Sequence, residues 1–344
     1  MTGGVGKVTV AVDVTGHAPK GCRRVTADLF IPTVVDPAGA LWCCVPGGGM
    51  SRAYFDLDVP PTAGEFSMAR YAAAGGQVVL TIDPPGVGGS DSPDDGYALT
   101  PRALADTLDF VVGDLRRRLA EGELEGIPPT SGGLTVGVGH SAGALLVACQ
   151  QGRHRSYDAV ALLGFSGSGL RPVLTEEEAA FIDRPEALVA ALPDLVRARF
   201  GDPLPRWPNA RSGTAMAGDV DEQVSAASDR ASSRLLAMVG MTALIPGSTQ
   251  PELDRIDVPT LVAAGDHDIV GDLAALVGQL PACHDLTLFT LVGSGHNHNV
   301  AGSRIVLWDR LLRWVGGLRS REPGRTGWEG SSKVPFEAMS GRAI

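Results

Sequence analysis

Gly139-His140-Ser141-Ala142-Gly143 is the stretch on which the reading of this chain turns. It follows the apolar run Leu134–Val138 and precedes the helix-prone Ala144–Gln150. The pattern predicts a buried strand, a very tight turn and a helix, with one serine at the apex. A turn that sharp forces its apical residue into a strained backbone conformation, so residues packed beside it must lack bulky side chains. Gly139 and Gly143 meet that demand. A G-x-S-x-G match says little by itself in a chain with 45 glycines. A strand before it and a helix after it make Ser141 a candidate nucleophile rather than a turn serine.

Composition sets the frame around that turn. At 344 residues the chain exceeds a typical single domain, and enzymes of this size commonly add an insertion to one α/β core. Hydrophobic residues make up 44% and charged residues 20%, enough apolar material for a sizeable core. The net charge of −10 argues against a nucleic-acid partner, which calls for a basic face. The one basic run, Arg116-Arg117-Arg118, falls near the C-terminal end of an amphipathic helix expected over Ala103–Glu121. Leu104, Leu108, Val111, Val112, Leu115 and Leu119 form its apolar stripe. Cations are favoured at that end by the helix dipole, so the run reads as a solvated helix terminus.

Met1–Lys7 lacks a basic region leading into an apolar stretch, so no secretory signal is expected. No apolar run approaches the ~20 residues of a membrane helix. The five cysteines, Cys22, Cys43, Cys44, Cys149 and Cys283, are odd in number and scattered, which suits reduced thiols in a cytoplasm. Their spacing matches no zinc motif. Adjacent Cys43 and Cys44 read as small core residues on opposite faces of one strand. The expectation is a cytoplasmic protein, monomeric or homodimeric, with no membrane partner, no metal and no cofactor.

Two classes of strand are legible. Val8–Val14 and Arg23–Ile31 alternate apolar with polar residues, as paired antiparallel edge strands do. Leu41–Val45, Gln77–Ile82, Leu134–Val138, Ala159–Leu163, Thr260–Ala264 and Leu286–Leu291 are short, mostly apolar runs, several with helical patterns between them. Such runs suit strands covered on both faces of a mostly parallel sheet, and the alternation predicts an α/β fold.

Motifs spread from about Leu41 to Val315 give the chain a resemblance to the α/β-hydrolase superfamily. Beside the serine turn stands Val45-Pro46-Gly47-Gly48-Gly49-Met50, directly after a core strand. In the family this loop often begins His-Gly and its backbone N–H groups supply half of the oxyanion hole. Here Pro46 replaces the histidine. The resemblance implies Gly48 N–H as the donor, with Gly49 as the alternative, paired with Ala142 N–H after the serine. Asp83-Pro84-Pro85-Gly86-Val87-Gly88-Gly89-Ser90-Asp91 looks like the family's D-x-x-G-x-G-x-S segment, for which the resemblance implies a structural role. Gly265-Asp266-His267-Asp268 resembles the segment that carries the family's acid, which by alignment is Asp268, with Asp266 as the alternative. Gly293-Ser294-Gly295-His296 looks like the terminal loop of the general base, His296, with His298 as the alternative.

The implied mechanism is acyl transfer through Ser141, His296 and Asp268, in the chain order of this fold. His298 and Asn299, if not catalytic, are assigned to the pocket wall. His298 also raises a metal alternative, but no carboxylate follows at useful spacing. His140 is implied to pack away from the site. Residues 169–250 exceed a bare crossover and carry amphipathic patterns at Glu176–Phe181, Pro185–Phe200 and Val220–Gly240, with a turn at Pro203–Pro208. They resemble the family's helical cap. The expected organisation is a core over 1–168 and 251–318, a cap over 169–250 and a flexible tail over 319–344. Gly49, Met50, Trp207, Met238 and His298 are candidate pocket residues.

Substrate is less determined. Thioesterases that release polyketide and peptide chains share this elbow but place the acid one strand earlier, where this chain has Leu163-Gly164-Phe165-Ser166-Gly167. The absence of an aspartate there favours an esterase-like or general acyl hydrolase acting on an ester or thioester of a small to medium, fairly apolar substrate. A stand-alone thioesterase, a carbon–carbon bond hydrolase, a lyase or cyclase, and a binding protein on an inactive scaffold are the alternatives.

Overall fold

The computed structural model describes residues 4–32, 39–62, 64–125, 127, 129–130, 133–206 and 220–319. Trp207 and residues 320–344 of the expected tail lie outside that set. Two nine-residue strands open the chain, β1 (Val5–Asp13) and β2 (Arg24–Pro32), paired antiparallel with Val10 opposite Ala27. Then come β3 (Leu41–Val45), helix α1 (Met68–Ala74), β4 (Val78–Ile82) and the long α2 (Pro101–Glu121). The serine turn joins β5 (Thr135–His140) to α3 (Ala142–His154), and β6 (Ala159–Leu163) follows.

The stretch between β6 and β7 holds α4 (Glu176–Ala179), α5 (Pro185–Phe200), α6 (Glu222–Arg230), α7 (Ala237–Leu244) and α8 (Gln250–Leu253). The chain closes with β7 (Thr260–Gly265), β8 (Leu286–Leu291) and α9 (Arg304–Arg319). One eight-stranded sheet results, ordered β1-β2-β4-β3-β5-β6-β7-β8. All pairings from β4 through β8 are parallel. The mostly parallel α/β architecture is therefore the observed one.

Side-chain alternation explains how the central strands bury both faces. Along β3, Cys43 and Val45 join the core beneath α2 and α3, whereas Trp42 and Cys44 join the core beneath α1 and α9. Thr100 caps α2 by accepting from Ala103 N, Pro101 occupies the first turn, and Gly122 at φ 69° ends the helix. Pairing also aligns the loops. In the β3–β5 register Val45 lies opposite Gly139, so the glycine loop after β3 and the serine turn after β5 emerge side by side. Because β5, β6, β7 and β8 run parallel, their following loops emerge at the same edge, where open α/β sheets hold their ligands.

One expected element divides. The helical pattern over Val220–Gly240 becomes α6 and α7, separated by an extended connector at 231–236. Backbone groups of that connector are taken by the glycine loop. Ser233 N donates to Gly49 O at 2.7 Å and Ser51 N to Ala231 O at 2.8 Å. Serine competes poorly for helix interiors, and here cross-chain bonds replace the helical ones. α7 instead packs on α5, burying Met238, Met241 and Ile245 against Leu188, Leu192 and Leu195.

The β5–α3 junction tolerates no added side chain. A Cβ on Gly143 would collide with the carbonyl oxygens of Val45 and Pro46, and one on Gly139 would strike the backbone of Ala144. Both obstacles are main chain and cannot rotate away. Gly143→Ala is therefore expected to destabilise the fold by about 3 kcal/mol, near the upper end of overpacking costs. Chemical denaturation of the variant against the parent measures it.

Candidate active site

Ser141 adopts φ 54° and ψ −120°, a region that a residue with a Cβ enters only at a cost of about 1–3 kcal/mol. Its N–H donates to Leu163 O at 2.7 Å, tying the strained residue to the end of β6. The side chain projects from the turn ahead of α3, and its Oγ lies 2.8 Å from His296 Nε2.

His296 sits on the loop after β8, and Asp268 on the loop after β7. Close approach of these loops is enforced at Gly265, where a Cβ would meet the backbone of Ser294 and Gly295. His296 Nδ1 stands 2.7 Å from Asp268 Oδ1. A carboxylate only accepts, so Nδ1 carries the proton and the lone pair of Nε2 faces the serine hydroxyl. Asp268 Oδ1 also accepts from Val270 N at 3.2 Å, and Oδ2 accepts from His298 Nε2 at 3.0 Å. Burial raises the Asp268 carboxyl, yet the bonds from His296 and His298 outweigh it and hold the group well below the usual carboxylate range. Asp266, the sequence alternative, instead accepts Ser294 N–H at 3.1 Å and does not reach His296.

Two further histidines lie beneath the site. His140 is buried, stacks on Tyr54 with ring centroids 4.7 Å apart, and donates from Nε2 to His296 O at 2.7 Å. Burial, reinforced by His296 and His298, pushes its imidazole well below the ordinary range. His298 is likewise buried, and burial lowers it despite the neighbouring Asp268. Burial thus favours the neutral form of both rings, and the Nδ1 atom of each is buried without a hydrogen-bond partner among the described residues.

A cavity of about 350 Å³ opens over Ser141 and His296. Gly48 and Ala142, the expected oxyanion donors, and Met50, a candidate pocket residue, line it. Gly49 does not; its carbonyl is engaged by Ser233 N–H. Met238 is 1% exposed and faces α5 instead of the cavity. His298 stands behind Asp268, and Asn299 is spent on Tyr54 O and Trp308 Nε1, so neither forms the wall expected of it. The walls are largely Leu170, Val173, Phe200, Leu235, Leu244 and Ile269, of which the sequence singles out Leu235 alone, as an apolar residue of the expected cap. They come from segments far apart in the chain, and only Ile269, next to Asp268, adjoins a motif.

The Asp83 segment supports the glycine loop. Buried Asp83 accepts Arg52 N–H at 2.6 Å and Gly89 N–H at 2.8 Å and pairs with the Arg52 guanidinium. Among the described residues no group of three or more His, Cys, Asp or Glu side chains could hold a metal ion. Among them, too, no helix is long and apolar enough to cross a membrane.

Comparison with known proteins agrees with this fold. A monoacylglycerol lipase from Paleococcus ferrophilus superposes with a TM-score of 0.58 at 15% identity, covering 91% of this chain and 99% of that one. A proline iminopeptidase from Mycobacterium smegmatis gives 0.55 at 17% identity, with 91% and 99% covered. The thioesterase domain of the curacin biosynthetic pathway gives 0.56 at 15% identity, again with 91% and 99% covered. At such identities the likeness is one of fold. Among curated protein sequences none matches this chain. The model of the Alpha/beta hydrolase family matches residues 44–306, a span that runs from the end of β3 into α9 and takes in the serine turn and both later loops; the chain belongs to that family.

Proposed function

We propose that this protein is a serine hydrolase that cleaves an ester or thioester with an apolar acyl group through an acyl-enzyme on Ser141. The observation that carries the reading is the continuous hydrogen-bonded series Ser141 Oγ, His296, Asp268 at the wall of an apolar cavity. Ser141 is the nucleophile, His296 the general base and Asp268 the acid that fixes the imidazole tautomer and stabilises the imidazolium.

Ser141 Oγ adds to the substrate carbonyl carbon as its proton passes to His296 Nε2. The carbonyl oxygen, now an anion, rests on the N–H groups of Gly48 and Ala142, each worth up to a few kcal/mol in a dry site. Collapse expels the alkoxide or thiolate, which takes the proton from His296 and leaves Ser141 acylated. Water then adds to the acyl carbon, gives its proton to His296, and the second tetrahedral species releases the carboxylic acid as Ser141 recovers the proton. Residues 169–250 serve as the cap, and Leu170, Val173, Phe200, Leu235 and Leu244 hold the acyl chain, which matches their apolar character.

A fluorophosphonate probe is expected to add one label per chain, read by intact mass, and Ser141→Ala to remove both the label and about 10⁴-fold or more of esterase kcat. An unlabelled native protein would sink the assignment. Asp268→Asn is expected to lower kcat on a chromogenic ester by about 10⁴-fold through the wrong imidazole tautomer. Asp266→Asn is expected to leave turnover nearly intact, and the reverse ranking would transfer the acid role to Asp266. Across esters of graded acyl length, kcat/KM is expected to rise until the chain fills the cavity and then fall; a flat profile contradicts the acyl pocket.

A further inference from the structure

We propose that His298 is a positioning residue for Asp268: its imidazole fixes the second carboxylate oxygen, so that the first stays aligned on His296. The inference rests on the reading of Ser141, His296 and Asp268 as the reacting set. His298 itself reaches neither Ser141 nor the cavity.

The geometry isolates one function for this ring. Asp268 Oδ1 is held by His296 Nδ1 at 2.7 Å and Val270 N at 3.2 Å. Among the described residues, the donor that reaches Oδ2 is His298 Nε2, at 3.0 Å. The terminal torsion of an aspartate is broad and roughly two-fold, so one anchored oxygen leaves the carboxylate free to turn. Anchoring both oxygens removes that freedom. Preorganisation of this kind is needed at the moment the imidazolium forms, because a reoriented carboxylate no longer meets the new charge.

The donor is itself buried and flanked by fixed contacts. His298 is 1% exposed, and its N–H contacts His296 O at 3.1 Å. The next residue, Asn299, is locked by its amide to Tyr54 O at 3.2 Å and by Trp308 Nε1 at 3.0 Å. Gly164 leaves room for both imidazoles, since a Cβ there would lie 3.1 Å from His296 and 3.4 Å from His298. Among the described residues, the titratable groups that face His298 are Asp268 after β7, His296 on its own loop and His140 from β5.

Neutrality matters to the proposed role. With Nε2 donating and Nδ1 a buried lone pair, the ring orients Asp268 without cancelling the negative charge that His296 requires. A lysine or arginine in its place would orient the carboxylate and also neutralise it.

The test compares His298→Gln, whose amide N–H extends to about the position of Nε2, with His298→Met, of similar length and no donor. His298→Met is expected to lower kcat about ten- to hundredfold with KM unchanged, the range for losing a hydrogen bond to a charged group. It should slow fluorophosphonate labelling by the same factor and weaken the far-downfield proton resonance of the His296–Asp268 bond. His298→Gln should regain most of all three. If His298→Met does not fold, His298→Asn, whose shorter amide falls short of Asp268, takes its place. Wild-type kcat in the donor-free variant would overturn the proposal, as would equal losses in both variants that follow their melting temperatures. A parent protein that takes no fluorophosphonate label overturns the reading of Ser141 as well, whereas a labelled parent with an indifferent His298→Met overturns His298 alone.

Discussion

The structure depends on the close backbone approach between the end of β3 and the start of α3. Gly143 lies against the carbonyls of Val45 and Pro46, and Gly139 against Ala144, leaving no volume for a side chain at either position. That contact holds Ser141 at a positive φ and lifts its hydroxyl above the sheet edge. It also fixes the distance between the serine turn and the Gly47–Gly49 loop, because Val45 and Gly139 are register partners. Local strain is thus offset by the cooperative pairing of a buried sheet, which is the usual condition for a strained residue to persist.

A second constraint is electrostatic. Asp268 is an almost fully buried carboxylate, and a buried charge is tolerated only where donors surround it. Three N–H groups do so here, from His296, His298 and Val270. The same burial favours the neutral forms of His140 and His298, so the site concentrates its negative charge on one group. Three histidine rings packed about one carboxylate would repel one another if all were protonated. Neutral tautomers let His140 and His298 act as oriented donors.

The helices between β6 and β7 answer to tertiary contacts more than to their own periodicity. A pattern that would support one helix over Val220–Gly240 is split because Ala231 and Ser233 bond to the glycine loop after β3. That choice brings Leu235 into the cavity while sending Met238 into the α5–α7 contact. Serines at 232 and 233 accept such a break readily, since their helix preference is weak. A pocket-facing leucine and a core methionine look alike in the sequence when the register between segments is unknown.

Much of the fold was legible in the sequence because its signals are local. Short apolar runs mark buried strands, the glycines around Ser141 mark an obligatory close approach, and the apolar stripe from Leu104 to Leu119 marks α2. Ser141, Asp268 and His296 stood out for the same reason: each lies in a short motif directly after a strand, and parallel strands deliver their following loops to one edge. What only the tertiary structure decided were relations between loops. It brought Asp268 rather than Asp266 to His296, removed Gly49 and Met238 from the cavity, and set His298 behind the acid instead of in the wall. The physical reason is that strand and turn formation follow from a few neighbouring residues, whereas the direction of a loop side chain depends on packing against segments that sequence proximity does not encode.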